Sequence, residues 1–218
     1  MWRTRIAKIA GYTVALSGLL VVIGWLVGID LLKTFSAHGN SMKFLTAICF
    51  VLSGIMLVLI VKSANNKDPS GFIAIILSIL SLTIMLIMAT LFFSAIVGFD
   101  FGVANALVKE EPEQIGTAYS VGLGLPSMAT MICFILIALA GLLETFTYYR
   151  QKSFLLSLIG VLVTVIGAIA LIGYSVNIPL LFYYIPDKSS AIAINAALLF
   201  VIWGLGVLFC YGGGNDPN

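Results

Sequence analysis

Residues 71–99 read GFIAIILSILSLTIMLIMATLFFSAIVGF, and no charged side chain interrupts this run. A helix of about 20 mostly apolar residues crosses the hydrocarbon core of a bilayer, so this run is long enough to span a membrane. The whole chain of 218 residues is 61% hydrophobic and 9% charged, whereas soluble domains carry about 25% charged residues. Its mean hydropathy is +1.15. We therefore predict a membrane protein.

Five further segments resemble this run in length and apolar character. Backbone groups in lipid must be hydrogen-bonded within the protein, so each segment is predicted to be a helix. The chain is predicted to be an all-α, polytopic membrane protein, with residues 1–218 forming a single six-helix domain. The six predicted spans are Ile6–Gly28, Phe44–Val61, Gly71–Phe99, Pro126–Tyr149, Phe154–Tyr174 and Ala191–Tyr211.

Charge and cysteine content exclude several other classes of protein. A net charge of +2 without a basic stripe is not the pattern of a nucleic-acid partner. Cys49, Cys133 and Cys210 lie in apolar runs and match neither a disulfide framework nor a metal-binding spacing. The chain has no GxSxG, HExxH or phosphate-loop motif, and such motifs mark common catalytic sites. We expect no enzyme activity, no metal site and no cofactor.

The basic residues predict the orientation. If the loops alternate between the two sides, seven basic residues share the side of the N-terminus and four lie on the other side. Cytoplasmic loops carry the excess of Lys and Arg. We therefore predict a cell (inner, cytoplasmic) membrane protein with both termini in the cytoplasm. The predicted cytoplasmic set is Arg3, Arg5, Lys8, Lys62, Lys67, Arg150 and Lys152, and the external set is Lys33, Lys43, Lys109 and Lys188.

An internal repeat joins the spans into three helical hairpins. The odd spans end alike, at residues 24–30, 94–100 and 173–179, and the even spans begin alike near Thr46, Thr130 and Asn195. The step along the chain from Gly28 to Thr46 equals the step from Asn177 to Asn195. Repeated units must be found before a fold is assigned. We predict tandem hairpins at about 6–62, 71–149 and 153–211, packed as a pseudo-threefold bundle.

Polar residues at equivalent depth predict a candidate site. Thr46, Thr130 and Asn195 each lie near the external end of an even helix. They form either a polar ring that lines a shallow central pocket or a set of hydrogen bonds between helices, which contribute about 0.6–2 kcal/mol each.

Two aspartates belong to the same candidate site. Asp30 and Asp100 follow odd spans, where they could bind a cation or a ligand amine at the mouth of the bundle. Asp also caps helix starts, and Pro is favoured there as well. Because Pro179 occupies the third equivalent position, we favour the interpretation that all three begin a short helix.

Glu144 is the one acidic residue clearly inside a predicted span. An ionisable residue within the membrane is a functional candidate by default. Glu144 lies six residues before Arg150, so its depth also allows it to reach water or a neighbouring cation. A proton or ligand role and a local ion pair both remain open.

The segment from Ser41 to Gly54 resembles an element of a known family. That family is the multi-helix membrane sensory domain found ahead of PAS, histidine-kinase and GGDEF output domains in prokaryotic signalling proteins. Its even helices open with a segment like M-x-P-N-T-A-L-C-F-L-L-x-G, and its odd helices close with G-x-x-x-G-(I/V). The matching residues are Met42, Thr46, Ala47, Cys49, Phe50, Leu52 and Gly54 in the first unit, Thr130, Cys133 and Phe134 in the second, and Ala196 in the third.

The chain departs from the family pattern in three places. Phe44 and Leu45 replace the Pro-Asn pair, and Pro126 replaces the Met of the second unit. Only seven residues follow Tyr211, so no output domain is seen after the last span. The resemblance implies a non-enzymatic sensory or regulatory module, and we expect it to act through a partner.

Two other functions remain open. The chain could be an accessory structural subunit of a larger membrane complex, or the small-molecule-binding component of a transporter. The expected partners are the lipid bilayer and either another membrane protein or further copies of this chain.

Overall fold

The computed structural model describes residues 2–33, 40–65, 71–97, 125–146, 151–183 and 190–212. Six long helices dominate it, and each is long and apolar enough to cross a membrane. The prediction that the chain is all-helical with six helices of this kind is confirmed for the described residues, and these helices are compatible with a multi-pass membrane protein. The elements are α1 (Trp2–Val27), α2 (Asp30–Lys33), α3 (Phe44–Asn65), α4 (Gly71–Val97), α5 (Met128–Thr145), α6 (Lys152–Val176), a 3₁₀ turn (Pro179–Phe182) and α7 (Ile194–Tyr211).

Two of the long helices end in the same way. Gly28 follows α1 with φ +77° and Asn177 follows α6 with φ 57°, both in the left-handed region that Gly and Asn tolerate best. The next amide donates back to the helix in each case, from Ile29 to the Gly24 carbonyl at 2.9 Å and from Ile178 to the Gly173 carbonyl at 3.0 Å. This bonding pattern is the Schellman motif, which stops a helix cleanly.

The long helices pack in antiparallel pairs. Helix α1 packs against α3, α4 against α5, and α6 against α7. Neighbouring pairs meet through α3 and α4, through α5 and α6, and through α7 and α1, while α3 also contacts α5 and α7. Helices α3, α5 and α7 are the inner helices because a larger share of their residues is buried than in α1, α4 and α6.

The outer helices α1, α4 and α6 bury residues at matching positions. Adding 70 to the number of each main buried position of α1 gives a buried position of α4, and adding 149 gives one of α6. The remaining faces expose large apolar side chains, as lipid-facing helices do. The matched positions are Ala7, Gly11, Val14, Gly18, Val21 and Gly24 in α1, Leu77, Ser81, Ile84, Met88, Leu91 and Ser94 in α4, and Leu156, Gly160, Val163, Gly167, Ala170 and Gly173 in α6.

Three aromatic rings meet at the centre, one from each inner helix. The ring centroid of Phe50 lies 4.8 Å from that of Phe134 and 4.8 Å from that of Phe200, and the last two are 5.1 Å apart. All three side chains are fully buried. Tilted and edge-to-face contacts at these distances are favourable for aromatic rings. We call these residues the phenylalanine triad.

Candidate functional site

A small cavity lies where the inner helices begin. Its walls come from the segments that lead into α3, α5 and α7 and from the first turn of each helix. The volume is about 20 Å³, which is enough for about one water molecule. We call it the axial cavity. Its lining residues are Asn40, Ser41, Met42, Lys43, Thr46, Leu125, Pro126, Ser127, Thr130, Ser190, Ala191, Ala193 and Ala196.

Thr46 and Thr130 both line the axial cavity, but their hydroxyl groups differ. Each residue is 3% exposed. The Thr130 hydroxyl pairs with the Ser127 hydroxyl at 2.8 Å, and Ser127 caps α5 by accepting the Thr130 amide at 3.1 Å. Within the part of the chain that the structure describes, the buried Oγ1 of Thr46 has no hydrogen-bond partner. An unsatisfied buried hydroxyl costs about 1–3 kcal/mol.

Asn195 is buried like the two threonines but has a different role. Its Nδ2 donates to the Lys33 carbonyl at 3.2 Å, and its Oδ1 accepts the Ala196 amide at 3.0 Å. The side chain therefore ties the start of α7 to the end of α2. Ala196, and not Asn195, lines the axial cavity.

The predicted equivalence of Thr46 and Asn195 is wrong by one residue. Gly18 and Gly167 occupy matching positions of α1 and α6. Gly18 faces the Ala47 carbonyl, and Gly167 faces the Ala197 carbonyl. Ala47 therefore corresponds to Ala197, and Thr46 corresponds to Ala196. The loop before α7 is one residue longer than the loop before α3. A backbone hydrogen bond closes each loop. The Met42 amide donates to the Lys33 carbonyl, nine residues earlier, whereas the Ile192 amide donates to the Phe182 carbonyl, ten residues earlier.

The predicted aspartates fall at the edge of the described structure. Asp30 is the first residue of α2, and Pro179 is the first residue of the 3₁₀ turn, as the helix-start interpretation predicts. The side chain of Asp30 and the whole of Asp100 lie outside the described residues. A cation or amine site at these two positions therefore stays a prediction.

Glu144 lies at the other end of the inner helices, in the last turn of α5. It is 4% exposed, and its Oε2 accepts hydrogen bonds from the Tyr211 hydroxyl at 2.6 Å and from Lys152 Nζ at 3.1 Å. Lys152 Nζ also donates to the Glu144 carbonyl at 3.1 Å. Among the described residues, Oε1 of Glu144 has no partner. This buried ion pair joins the ends of α5 and α7 to the start of α6.

Sequence analysis alone missed the partners of Glu144. Lys152 entered only as a basic residue that set the orientation, and Tyr211 only as the end of a span. A signal existed, because Lys152 begins the helix that follows Glu144 after a short connection. The side chain of Lys152 is 23% exposed, whereas that of Glu144 is 0% exposed. The ion pair is therefore accessible from outside the protein through Lys152.

The axis of the bundle is closed below the axial cavity. The phenylalanine triad follows Thr46 and Thr130 by four residues in α3 and α5, about one helical turn. Deeper still, the Trp203 indole donates to the Ser53 carbonyl at 3.0 Å, and both residues are fully buried. The described inner helices therefore meet in a packed core at these depths.

Two of the three cysteines belong to that core. Cys49 and Cys133 are fully buried free thiols, and Cys210 is partly exposed. Across the described ranges, no three His, Cys, Asp or Glu side chains come together as a metal site would require.

No protein-family model, curated protein or solved structure matches the chain. The resemblance of residues 41–54 to a membrane sensory domain therefore stays a prediction.

Proposed function

We propose that this chain is a non-enzymatic, membrane-embedded sensory or regulatory module that acts through a partner protein. The observation that carries the proposal is the axial cavity, where the buried Thr46 hydroxyl lacks a partner among the described residues, above a closed aromatic core. A ligand that places one group about the size of a water molecule in this cavity, hydrogen-bonded to the hydroxyl, would recover part of the cost of its burial. Because the cavity touches the starts of all three inner helices, such binding would shift them together.

The proposal includes a pseudo-threefold arrangement of tandem hairpins. The inner helices contribute Phe50, Phe134 and Phe200 from corresponding positions, and the outer helices share the pattern of buried positions described above. A symmetric bundle gives the module two defined ends, with the axial cavity at one and the Glu144 cluster at the other. Movement of the inner helices at the axial cavity would thus also displace the residues around Glu144.

The closed core favours regulation over transport. A transported molecule needs a binding site near the midplane and a path on both sides of it, whereas the phenylalanine triad and Trp203 fill the axis at that depth. The resemblance of residues 41–54 to sensory domains supports the same function.

The Thr46 hydroxyl provides the first test of this function. We expect Thr46→Val to keep or slightly raise the free energy of unfolding, because valine removes a hydroxyl that has no partner among the described residues. Thr130→Val is the matched control and should cost about 0.6–2 kcal/mol, because it removes the bond to Ser127. Thermal and denaturant unfolding in detergent measure both. If Thr46→Val is as destabilising as Thr130→Val, then Thr46 has a structural bond and the proposed input site is lost.

The orientation is a second part of the proposal, with both termini in the cytoplasm and the Asp100–Leu125 loop outside. A membrane-impermeant maleimide applied to intact cells should label a Glu111→Cys variant and should not label an Asn66→Cys variant. If only the Asn66→Cys variant is labelled, the orientation is the opposite of the one proposed.

An accessory structural subunit is the alternative class. Purification from native membranes separates the two classes, since a permanent subunit stays in a stoichiometric complex whatever residue occupies position 46. A regulatory module changes the amount of partner that it retains when Thr46 is replaced by valine.

A further inference from the structure

A second pocket, unrelated to the axial cavity, lies between the start of α1 and the end of α3. It has a volume of about 340 Å³ and is lined by Thr4, Arg5, Lys8 and Asn65. Two of these four side chains are cationic, and the others carry a hydroxyl and an amide. Open pockets of this size are within the range that holds small ligands. We call it the basic pocket.

The cations of the basic pocket are not neutralised by the described protein. Within the described ranges, Arg5 and Lys8 have no ion pair, whereas Lys152 is paired with Glu144. Glu144 is the one acidic side chain that these ranges describe, and its Oε2 is already engaged by Lys152 and Tyr211. Among the described residues, nothing therefore neutralises the positive charge of the basic pocket, and this charge attracts an anion.

The packing of the bundle does not require these cations. The offsets that relate the outer helices place Ile75 and Phe154 at the position of Arg5, and both are exposed apolar residues. The same offsets place Ser78 and Ser157 at the position of Lys8. Among the three described outer helices, this cationic pair therefore occurs in α1 alone.

The depth of the pocket matches that of lipid headgroups. Arg5 and Lys8 lie within the first two turns of α1, a helix that can span a membrane. Ile9 and Tyr12, one and two turns further along, are more than half exposed, so this side of the helix borders lipid. Basic pockets at the end of membrane helices bind anionic headgroups, and Arg matches the oxygens of a phosphate in a fork of two hydrogen bonds.

We propose that the basic pocket binds the phosphate group of an anionic phospholipid, with Arg5 and Lys8 neutralising the charge and Thr4 donating a further hydrogen bond. This binding does not depend on the sensory function, because the pocket shares no residue with the axial cavity.

Native mass spectrometry of the purified full chain tests the proposal. Dioctanoyl phosphatidylglycerol, dioctanoyl phosphatidylcholine and inorganic phosphate are titrated separately against the wild type. We expect saturable binding of phosphatidylglycerol and none of phosphatidylcholine at the same concentrations. Each of Arg5→Gln and Lys8→Gln should weaken the binding about fivefold, since a basic residue near an anionic surface contributes about 1 kcal/mol.

Lys62→Gln is the matched control, because Lys62 is an exposed cation in the last turn of α3 outside the pocket. This variant should bind phosphatidylglycerol within about twofold of the wild-type affinity, because a cation that does not contact the phosphate contributes little to binding. If Lys62→Gln weakens binding as much as Arg5→Gln, the attraction is general and no built site exists. If inorganic phosphate binds as tightly as phosphatidylglycerol, the site serves a soluble phosphate and the lipid assignment is wrong.

Discussion

Replacing Phe134 with alanine is expected to lower the free energy of unfolding by about 3 kcal/mol, near the lower end of the range for Phe→Ala in protein cores. Phe134 contacts both Phe50 and Phe200, so its removal opens a cavity on the axis. In a membrane the unfolded helix keeps the ring in lipid and not in water. The loss therefore comes from packing and from the cavity, not from the transfer of apolar surface.

Phe72→Ala is the matched control for this prediction. Phe72 lies in the first turn of α4 and is 71% exposed, so it meets lipid in both the folded and the unfolded state. Its replacement should change stability by less than about 0.5 kcal/mol, as surface substitutions do. Unfolding of both variants in mixed micelles provides the measurement. Equal effects of Phe134→Ala and Phe72→Ala would mean that the triad does not hold the inner helices together.

The helices were predictable from sequence because the membrane imposes a length and a polarity on each span. The run of residues 71–99 became α4 with its start unchanged, and the structure describes this helix as far as Val97. Near the interfaces the prediction was less accurate. The span predicted over 126–149 is helical from Met128 to Thr145, because Ser127 has an extended backbone and caps the helix by accepting the Thr130 amide.

The candidate site was only partly predictable because it depends on register and on contacts between distant residues. Thr46 and Thr130 were found from their shared depth, whereas Asn195 was misaligned by one residue. The polar side chain of Asn195 suggested that it was the third member of the repeated polar position. Sequence spacing alone does not show that the loop before α7 is one residue longer than the loop before α3. The meeting of Phe50, Phe134 and Phe200 was missed for a related reason, since an apolar position in a membrane helix faces lipid or protein equally well.

Glu144 shows the same limit for charged residues. Its depth was evident from sequence, but its pairing with Tyr211 crosses 67 positions of the chain. The cations at positions 5 and 8 also entered first as markers of orientation. Their role as a pocket emerges only when Asn65, at the end of α3, is placed beside them. The orientation signal and the proposed phosphate site thus draw on the same residues, and the site is recognised only from the geometry that brings them together.

Gly54→Ala and Gly204→Ala are both expected to destabilise the fold by about 1–3 kcal/mol, the cost of overpacking a tight interface. A Cβ at Gly54 would lie 2.6 Å from the Gly11 carbonyl oxygen, and a Cβ at Gly204 would lie 2.6 Å from the Gly160 carbonyl oxygen. These oxygens belong to the backbone of the paired outer helix, so rotation of a side chain cannot relieve the contact. The helices of each hairpin must move apart.

Gly71→Ala is the control for this pair, because a Cβ there meets no atom within 4 Å. Replacing Gly by Ala in a helix is otherwise favourable by about 1 kcal/mol, so Gly71→Ala should be neutral or stabilising. Reversible unfolding of the three variants under one set of conditions measures the differences. Similar losses at Gly54 and Gly204 would support the proposed equivalence of the first and third hairpins, since the offset that carries Phe50 onto Phe200 also carries Gly54 onto Gly204. A loss at only one of them would show that the two hairpins pack by different rules.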